Sequence, residues 1–213
     1  MRLNAKHAAY EIHSVRTRTL DAAAIILAQR GVEEFSLREV ADKARIGVAS
    51  IYHYFSNKED LFLNLAIEGY EDLHSNIISF QDRPEYPSCM EAAEAAYFSF
   101  VEHKPALFSL MFNERLMARH EELRAAERRT FLAYQETIES DGRFPPAARV
   151  NVASALWALG RGIAAMYYSE PDNRVLMQML EAIWAGTAYL IDRSDYPGEG
   201  VDALLKEPKM ATG

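Results

Sequence analysis

Cysteine is almost absent from this chain, since Cys89 is the only one among 213 residues. An internal disulfide is therefore excluded, and folding does not need an oxidising compartment. Apolar runs are also short: residues 22–28 end at Gln29 and residues 153–160 end at Arg161. Both fall well below the roughly 18–20 residues of a membrane span. Because the N-terminus also lacks the apolar stretch of a signal peptide, we expect a cytoplasmic protein with no membrane partner.

Signals for β-structure are missing as well. The sequence has no sustained apolar–polar alternation and no Asn-Gly or Asp-Gly hairpin between β-branched runs. Apolar residues recur instead at the spacing of helices along most of the chain. The pattern therefore predicts an all-α protein.

Helix start and stop signals divide the first third of the chain. Gly31 is typical of a helix end, Ser36 with Glu39 forms the sequence pattern of a capping box, and Asn57 suits an N-cap. These signals predict helices over residues 14–30, 37–44, 48–55 and 58–79. The same reasoning predicts later helices over residues 88–103, 106–113, 116–140, 147–169 and 173–193.

The second and third predicted helices are short and separated by about three residues, which is the pattern of a helix-turn-helix. In such a unit the second helix enters the major groove of DNA and the first braces it. Ile51 and Phe55 would face inward. The outward residues are small or polar, which suits contact with base edges and phosphates, and Lys58 begins a helix where phosphate is favoured. They are Val48, Ala49, Ser50, Tyr52 and His53.

Charge is unevenly distributed along the chain. Residues 1–58 carry nine Lys and Arg against six Asp and Glu, whereas the remainder carries 14 against 25. A basic head on an acidic body fits a protein that touches phosphates at one end. A chance imbalance is the alternative, because an excess of three charges is small.

Residues 35–61 contain Ile51-Tyr-His-Tyr-Phe followed by Lys58-Glu-Asp-Leu, and this segment resembles the DNA-binding domain of TetR-type repressors over about residues 14–65. The resemblance implies that Ser36 contacts phosphate, and that Tyr52 and Lys58 clamp phosphates. It also implies that the groove is read or lined by Val48, Ala49, Ser50 and His53.

Two positions depart from the family pattern. Arg45 stands where Gly is usual, so it must adopt a left-handed turn, and its charge could reach a phosphate or stay in solvent. Gly47 stands where Ser or Thr is usual, which removes a hydroxyl contact. These changes bear on DNA contacts rather than on the fold.

The C-terminal part carries a weaker resemblance, in residues 104–112 and 157–162, to a TetR subclass marked by a Trp followed by a His-Gly pair. Arg161 replaces that His here. By the resemblance, the last two helices, at about residues 147–193, form a homodimer, and small residues along them suit close helix packing. An intrasubunit core is the alternative.

A ligand pocket among the central helices is expected from the aromatic and Met residues there, which suit an adaptable apolar cavity. Plain core packing is the competing interpretation for each of them. The candidate lining is Tyr97, Phe100, Val101, Phe108, Met111, Phe112, Trp157 and Met166.

An enzyme is disfavoured because no nucleophile and base lie close enough to couple. Cys89 and His103 would share a helix but be about 21 Å apart by its rise per residue. His7, Glu11 and His13 could hold a metal, but a frayed arm explains them better. We expect no metal, no cofactor and no catalytic residue.

These observations predict a DNA-binding domain over residues 1–60, a helical ligand-binding and dimerisation domain over 61–195, and a partly disordered tail over 196–213. Two copies would hold a palindromic operator of double-stranded DNA, and a small, apolar effector would release them. An activator or a ligand-independent adaptor is the alternative.

Overall fold

The computed structural model describes the backbone of residues 3–140, 142, 144–169 and 173–192, and the side chains from residue 15 onward with gaps near the C-terminus. This described part forms ten α-helices and one 3-10 turn (Pro146–Ala148) and contains no strand, as the sequence predicts. The helices are α1 Leu3–Arg30, α2 Leu37–Ala44, α3 Val48–Tyr54, α4 Lys58–Gln81, α5 Cys89–His103, α6 Pro105–Met111, α7 Glu114–Arg119, α8 Glu121–Glu139, α9 Arg149–Ser169 and α10 Asn173–Asp192.

Helix α1 begins eleven residues earlier than its apolar pattern indicates, at Leu3. It ends as predicted, because Gly31 has φ +70° and its N–H donates to the carbonyl of Leu27. Glycine adopts this left-handed conformation without steric cost. The predicted C-terminal tail lies outside the described residues.

The turn between α2 and α3 follows a Schellman arrangement. The N–H of Ile46 donates to the carbonyl of Ala41 at 3.0 Å, and the N–H of Arg45 donates to Asp42 at 3.2 Å. Arg45 has φ 55° and is the non-glycine residue with positive φ in the described chain, as its replacement of glycine predicts.

The capping box predicted for α2 does not form. Ser36 occupies the N-cap position, but its side chain makes no capping hydrogen bond. Glu39 turns instead to Arg30 on α1, whose guanidinium donates to its carboxylate at 3.1 Å. The capping prediction was therefore wrong, because an ion pair with α1 takes up Glu39.

Helix α4 has a tightly held N-terminus. Asn57 accepts a hydrogen bond from the N–H of Asp60 at 2.9 Å, and the carboxylate of Asp60 accepts one from the N–H of Ser56 at 2.8 Å. The helix then packs on α1 at one side and on α5, α6 and α8 at the other. One continuous buried core runs from Leu20 on α1 to Trp157 on α9.

The charged helix predicted over residues 116–140 is broken at His120, whose φ of −118° and ψ of 107° are extended. The break separates α7 from α8 and lets Arg119 and His120 both reach Glu59 on α4, at 3.1 and 3.2 Å. Neither Pro nor Gly marks the break, so a tertiary contact overrides the helical pattern.

No described helix has the length and hydropathy of a membrane span.

Gly69 on α4 marks the closest approach of α6, and it provides a test of this packing. A Cβ at Gly69 would lie 2.7 Å from Met111 Sδ, and Met111 is fully buried. We expect Gly69→Ala to lower the free energy of unfolding by about 1–3 kcal/mol, measured by urea denaturation.

Ser75→Ala, on an exposed part of the same helix, is the control and should leave stability nearly unchanged. Adding Met111→Ala should make the cost of Gly69→Ala smaller than it is alone, because the two side chains share one space. Simple additivity of the two changes would show that the close approach is not the cause.

Candidate nucleic-acid interface and ligand cavity

Helix α3 is seated by its inner residues and presents the others outward. Ile51 and Phe55 are each 1% exposed, and Tyr52 is 54% exposed. Ala49 and His53 are also exposed, whereas Val48 and Ser50 are half-buried. The helix therefore presents Ala49, Tyr52 and His53 outward, while its inner side packs against α1 and α2.

The flanks of α3 place the remaining DNA candidates. Arg45 is exposed at the turn before the helix, and Ser36 is half-buried at the start of α2 with no capping bond made by its hydroxyl. Both side chains can therefore be offered to phosphate. Tyr54, by contrast, stacks edge-on against His53 at 5.1 Å and lies half-buried.

The Lys58 side chain makes hydrogen bonds within the domain that the sequence does not indicate. Its Nζ donates to the carbonyls of Val32 and Phe35, at 3.1 and 3.2 Å, and lies 5.4 and 5.2 Å from the ring centroids of Phe35 and Phe62. An ammonium has three N–H donors, so one is left for a phosphate. Lys58 fastens the loop between α1 and α2 to α4.

The N-terminus of α4 is also joined to the C-terminal helices through Glu59. Its carboxylate accepts hydrogen bonds from His120 and Arg119, and these bonds hold the pKa of Glu59 below its ordinary value. On the other side, α4 is joined to α1. The guanidinium of Arg16 on α1 donates to Asn64 at 2.7 Å and to Glu68 at 3.3 Å. Both contacts anchor the first turns of α4.

A cavity that holds about one water molecule lies between α5, α8 and α9. Of the eight predicted ligand residues, Tyr97 and Trp157 line it. Their rings are 5.6 Å apart, and the Trp157 ring also meets Tyr134 at 5.6 Å. The full lining is Glu94, Tyr97, Phe98, Tyr134, Leu156, Trp157, Leu159, Gly160 and Ile163.

The other predicted ligand residues lie outside this lining. Phe100, Val101 and Met111 are core residues, 2%, 1% and 0% exposed. Phe108 and Phe112 lie behind Tyr97. The ring centroids of Phe108 and Tyr97 are 5.5 Å apart, and those of Phe108 and Phe112 are 4.7 Å apart. Met166 packs in a separate small cluster with Ile163.

Sequence reasoning missed the α9 side of the cavity. Leu156, Gly160 and Ile163 recur with Trp157 at helical spacing, which was the available signal, because these positions share one face of α9. Gly160 permits the packing: a Cβ there would lie 3.0 Å from Tyr97 Cε1. Glu94 and Tyr134 carry no local signal and are brought to the cavity by the bundle alone.

Arg161, which stands where the C-terminal resemblance leads one to expect a His, is not part of the cavity lining. Its guanidinium lies 4.4 Å from the ring centroid of Phe112 and 3.6 Å from the carboxylate of Glu127 on α8. The substitution therefore supplies a packing and charge contact between α9 and its neighbours.

The enzyme and metal alternatives gain no support. Cys89 and His103 stand at opposite ends of α5. Within the part of the chain that the structure describes, no three His, Cys, Asp or Glu side chains gather to hold a metal. The side chains of His7, Glu11 and His13 lie outside the described residues.

Lys58 gives a test of the internal role described above. We expect Lys58→Met to lower the free energy of unfolding by about 1–3 kcal/mol, because two backbone carbonyls lose their charged donor while the packing volume is kept. Thermal and urea unfolding measure this, with Lys43→Met, an exposed lysine on α2, as the matched control.

The same variant should also flatten the salt dependence of DNA binding by about one unit, through the remaining N–H. A stability equal to that of Lys43→Met would contradict the fastening role. An unchanged salt slope would remove Lys58 from the phosphate contacts.

Residues 20–65 match the family model described as bacterial regulatory proteins, tetR family. The HTH-type transcriptional repressor KstR2 of Rhodococcus jostii is 27% identical over 81% of this chain and 91% of its own length. The HTH-type transcriptional activator FasR of Mycolicibacterium smegmatis is 28% identical over 46% of this chain and 45% of its own. The TetR-like regulator LfrR of Mycobacterium smegmatis, crystallised with proflavine, superposes with a TM-score of 0.57 at 22% identity, covering 81% of this chain and 96% of that one.

Proposed function

We propose that this chain, which is a DNA-binding transcriptional regulator of the TetR family, is a homodimeric repressor that a small, apolar molecule releases from a palindromic operator. The family membership rests on the matching N-terminal domain and on the transcriptional repressor KstR2, which aligns over 91% of its own length. Residues 1–60 act as the DNA-binding domain, residues 61–195 bind the effector and the second copy, and the protein works in the cytoplasm.

The observation that carries the DNA-binding part is the outward face of α3. Ile51 and Phe55 are buried and seat the helix on the domain, while Tyr52, Ala49 and His53 stay exposed on its free side. Small side chains allow close approach to base edges, and a phenol and an imidazole can donate to phosphates or bases. Ser36, Arg45, Val48, Ser50 and Lys58 complete the proposed contact set.

Repression is favoured over activation by the relative that aligns over most of this chain, the repressor KstR2. The activator FasR aligns over less than half of it. Activation and a ligand-independent adaptor role remain the alternatives. The proflavine complex of LfrR supports ligand binding in a related fold.

The proposed dimer interface is a stripe of small exposed residues along α9. Ala155, Ala158, Gly162 and Ala165 recur at helical spacing and are all exposed. On α10, Val175, Met177 and Met179 are 38%, 49% and 37% exposed. Exposed apolar and small residues on adjacent helices suit a four-helix interface between two copies.

A chain of aromatic rings links the cavity to α4. From Trp157 the contacts pass to Tyr97, to Phe108 and to Phe112, which meets Tyr70 on α4 at 5.5 Å. The Tyr70 hydroxyl donates to the carbonyl of Met111 at 3.3 Å. A ligand that shifts Tyr97 would therefore push on α6 and α4. Helix α4 follows directly after α3, the helix proposed to enter the DNA groove.

The primary test is selection of genome fragments with the purified protein at about 0.15 M salt, followed by sequencing. We expect a palindromic motif whose half-sites are about one helical turn apart. Tyr52→Ala should lose at least about tenfold in affinity for that motif while helical circular dichroism is unchanged, since the side chain is exposed.

Leu132→Ala, at a residue 52% exposed on α8, is the matched control and should bind normally. Loss of helical signal in Tyr52→Ala would assign Tyr52 to the core instead. If the wild-type protein retains no enriched DNA sequence, the adaptor alternative is favoured.

The dimer is tested separately by a charge on its proposed stripe. Ala158→Arg should shift the protein to monomers in sedimentation velocity at micromolar concentration, because an unpaired guanidinium would be buried at the interface. Ala118→Arg, at an exposed position on α7, should stay dimeric. A dimeric Ala158→Arg would move the interface away from α9.

A further inference from the structure

The cavity between α5, α8 and α9 contains an unusual polar group. Tyr97 is 4% exposed, and its Oη is the buried side-chain oxygen or nitrogen that lacks a hydrogen-bond partner within the described part of the chain. An unpaired buried hydroxyl destabilises a folded protein, so such groups are rare. Its position in a cavity lining offers a reason for it.

Comparably buried hydroxyls nearby are paired within the chain. Tyr70 donates to the carbonyl of Met111, Thr130 donates to the carbonyl of Tyr70 at 3.1 Å, and Thr137 donates to that of Tyr134 at 2.6 Å. The bundle therefore satisfies its buried hydroxyls elsewhere. Tyr97 differs from them in that it belongs to the lining of this cavity.

The Tyr97 hydroxyl is available as a donor. Burial raises its pKa well above 10, so it stays protonated at neutral pH. A neutral phenol donates its proton to an acceptor oxygen more readily than it accepts a hydrogen bond. The surrounding lining is mostly aromatic and aliphatic, which disfavours a charged partner.

The cavity holds about one water molecule, and the Tyr97 hydroxyl itself is covered by α9. A larger ligand therefore reaches this hydroxyl only where α9 moves away from α5. Gly160 is the point of contact: its Cβ position lies 3.1 Å from Tyr97 Cζ and 3.4 Å from Oη. Movement of α9 at Gly160 would therefore open space directly beside the hydroxyl.

We propose that Tyr97 Oη is the polar anchor of the effector site, and that the effector is an uncharged, mainly apolar molecule presenting one acceptor oxygen, such as a ketone or ester carbonyl, to it. This inference rests on the proposed function only in taking the cavity as the effector site. It adds the chemical class of the ligand and the residue that selects it.

The test uses two probes of nearly the same shape, cyclohexanone, which has an acceptor oxygen, and methylenecyclohexane, which has none. Binding is measured by calorimetry or saturation-transfer NMR on full-length protein, in wild type and in Ile163→Ala, which widens the cavity lining. In either background Tyr97→Phe should weaken cyclohexanone about three- to tenfold and leave methylenecyclohexane unchanged.

Tyr134→Phe is the matched control, because Tyr134 lines the same cavity and loses the same atom, and it should keep the preference. Tyr97→Phe alone should not lower the melting temperature, since no partner within the protein is lost. A lower melting temperature with no change in either probe would show that Oη serves a buried water, and would overturn the inference. Failure of both probes to bind in the widened variant would overturn it as well.

The two proposals fail in different ways. Ligand-dependent release of operator DNA without any effect of Tyr97→Phe would leave the regulator intact and reject the anchor. Tyr97-dependent binding of cyclohexanone without release of DNA would keep the anchor and reject the effector-controlled repressor.

Discussion

Helix α4 is the constraint on which the other parts of the molecule depend. It begins at Lys58, immediately after the reading helix, and its later turns are buried against α5, α6 and α8. Because side chains on opposite sides of one helix are packed into one continuous core, neither half can move without displacing it. The tight contact of Gly69 with Met111 fixes its depth, and Lys58 and Glu59 fix its first turn.

Charge has two separate uses in this chain, and the net value of −8 conceals them. Several cationic side chains near α3 donate hydrogen bonds within the protein. Arg16 donates to α4, Arg30 donates to Glu39, and Lys58 donates to two backbone carbonyls. The two ion pairs, Arg16 with Glu68 and Arg30 with Glu39, are at least partly exposed, so their contribution to stability is small. Their main effect is geometric, because they hold the helices around α3 in place while Arg45 stays exposed.

The sequence predicts the architecture well and the cavity poorly, for a physical reason. Most helix bounds, the left-handed Arg45 and the seating of Ile51 and Phe55 follow from local spacing and turn chemistry, which short segments encode. The break at His120 and the fastening of Lys58 depend on partners many residues away. Cavity lining depends likewise on which face of α9 meets α5, so most large apolar candidates proved to be core.

The proposed effector control depends on how closely α9 packs on Tyr97. A ligand that binds two arrangements of the helices equally well shifts no equilibrium between them. Here α9 lies directly on the Tyr97 ring at Gly160, so a ligand that reaches the Tyr97 hydroxyl has to displace α9 or the ring. Displacement of α9 would disturb the proposed dimer, and displacement of the ring would press through Phe108 toward α4. In the proposed dimer both movements would alter the spacing of the two α3 helices. DNA that requires one spacing would then weaken ligand binding by the same free energy by which the ligand weakens DNA binding, typically about 1–3 kcal/mol.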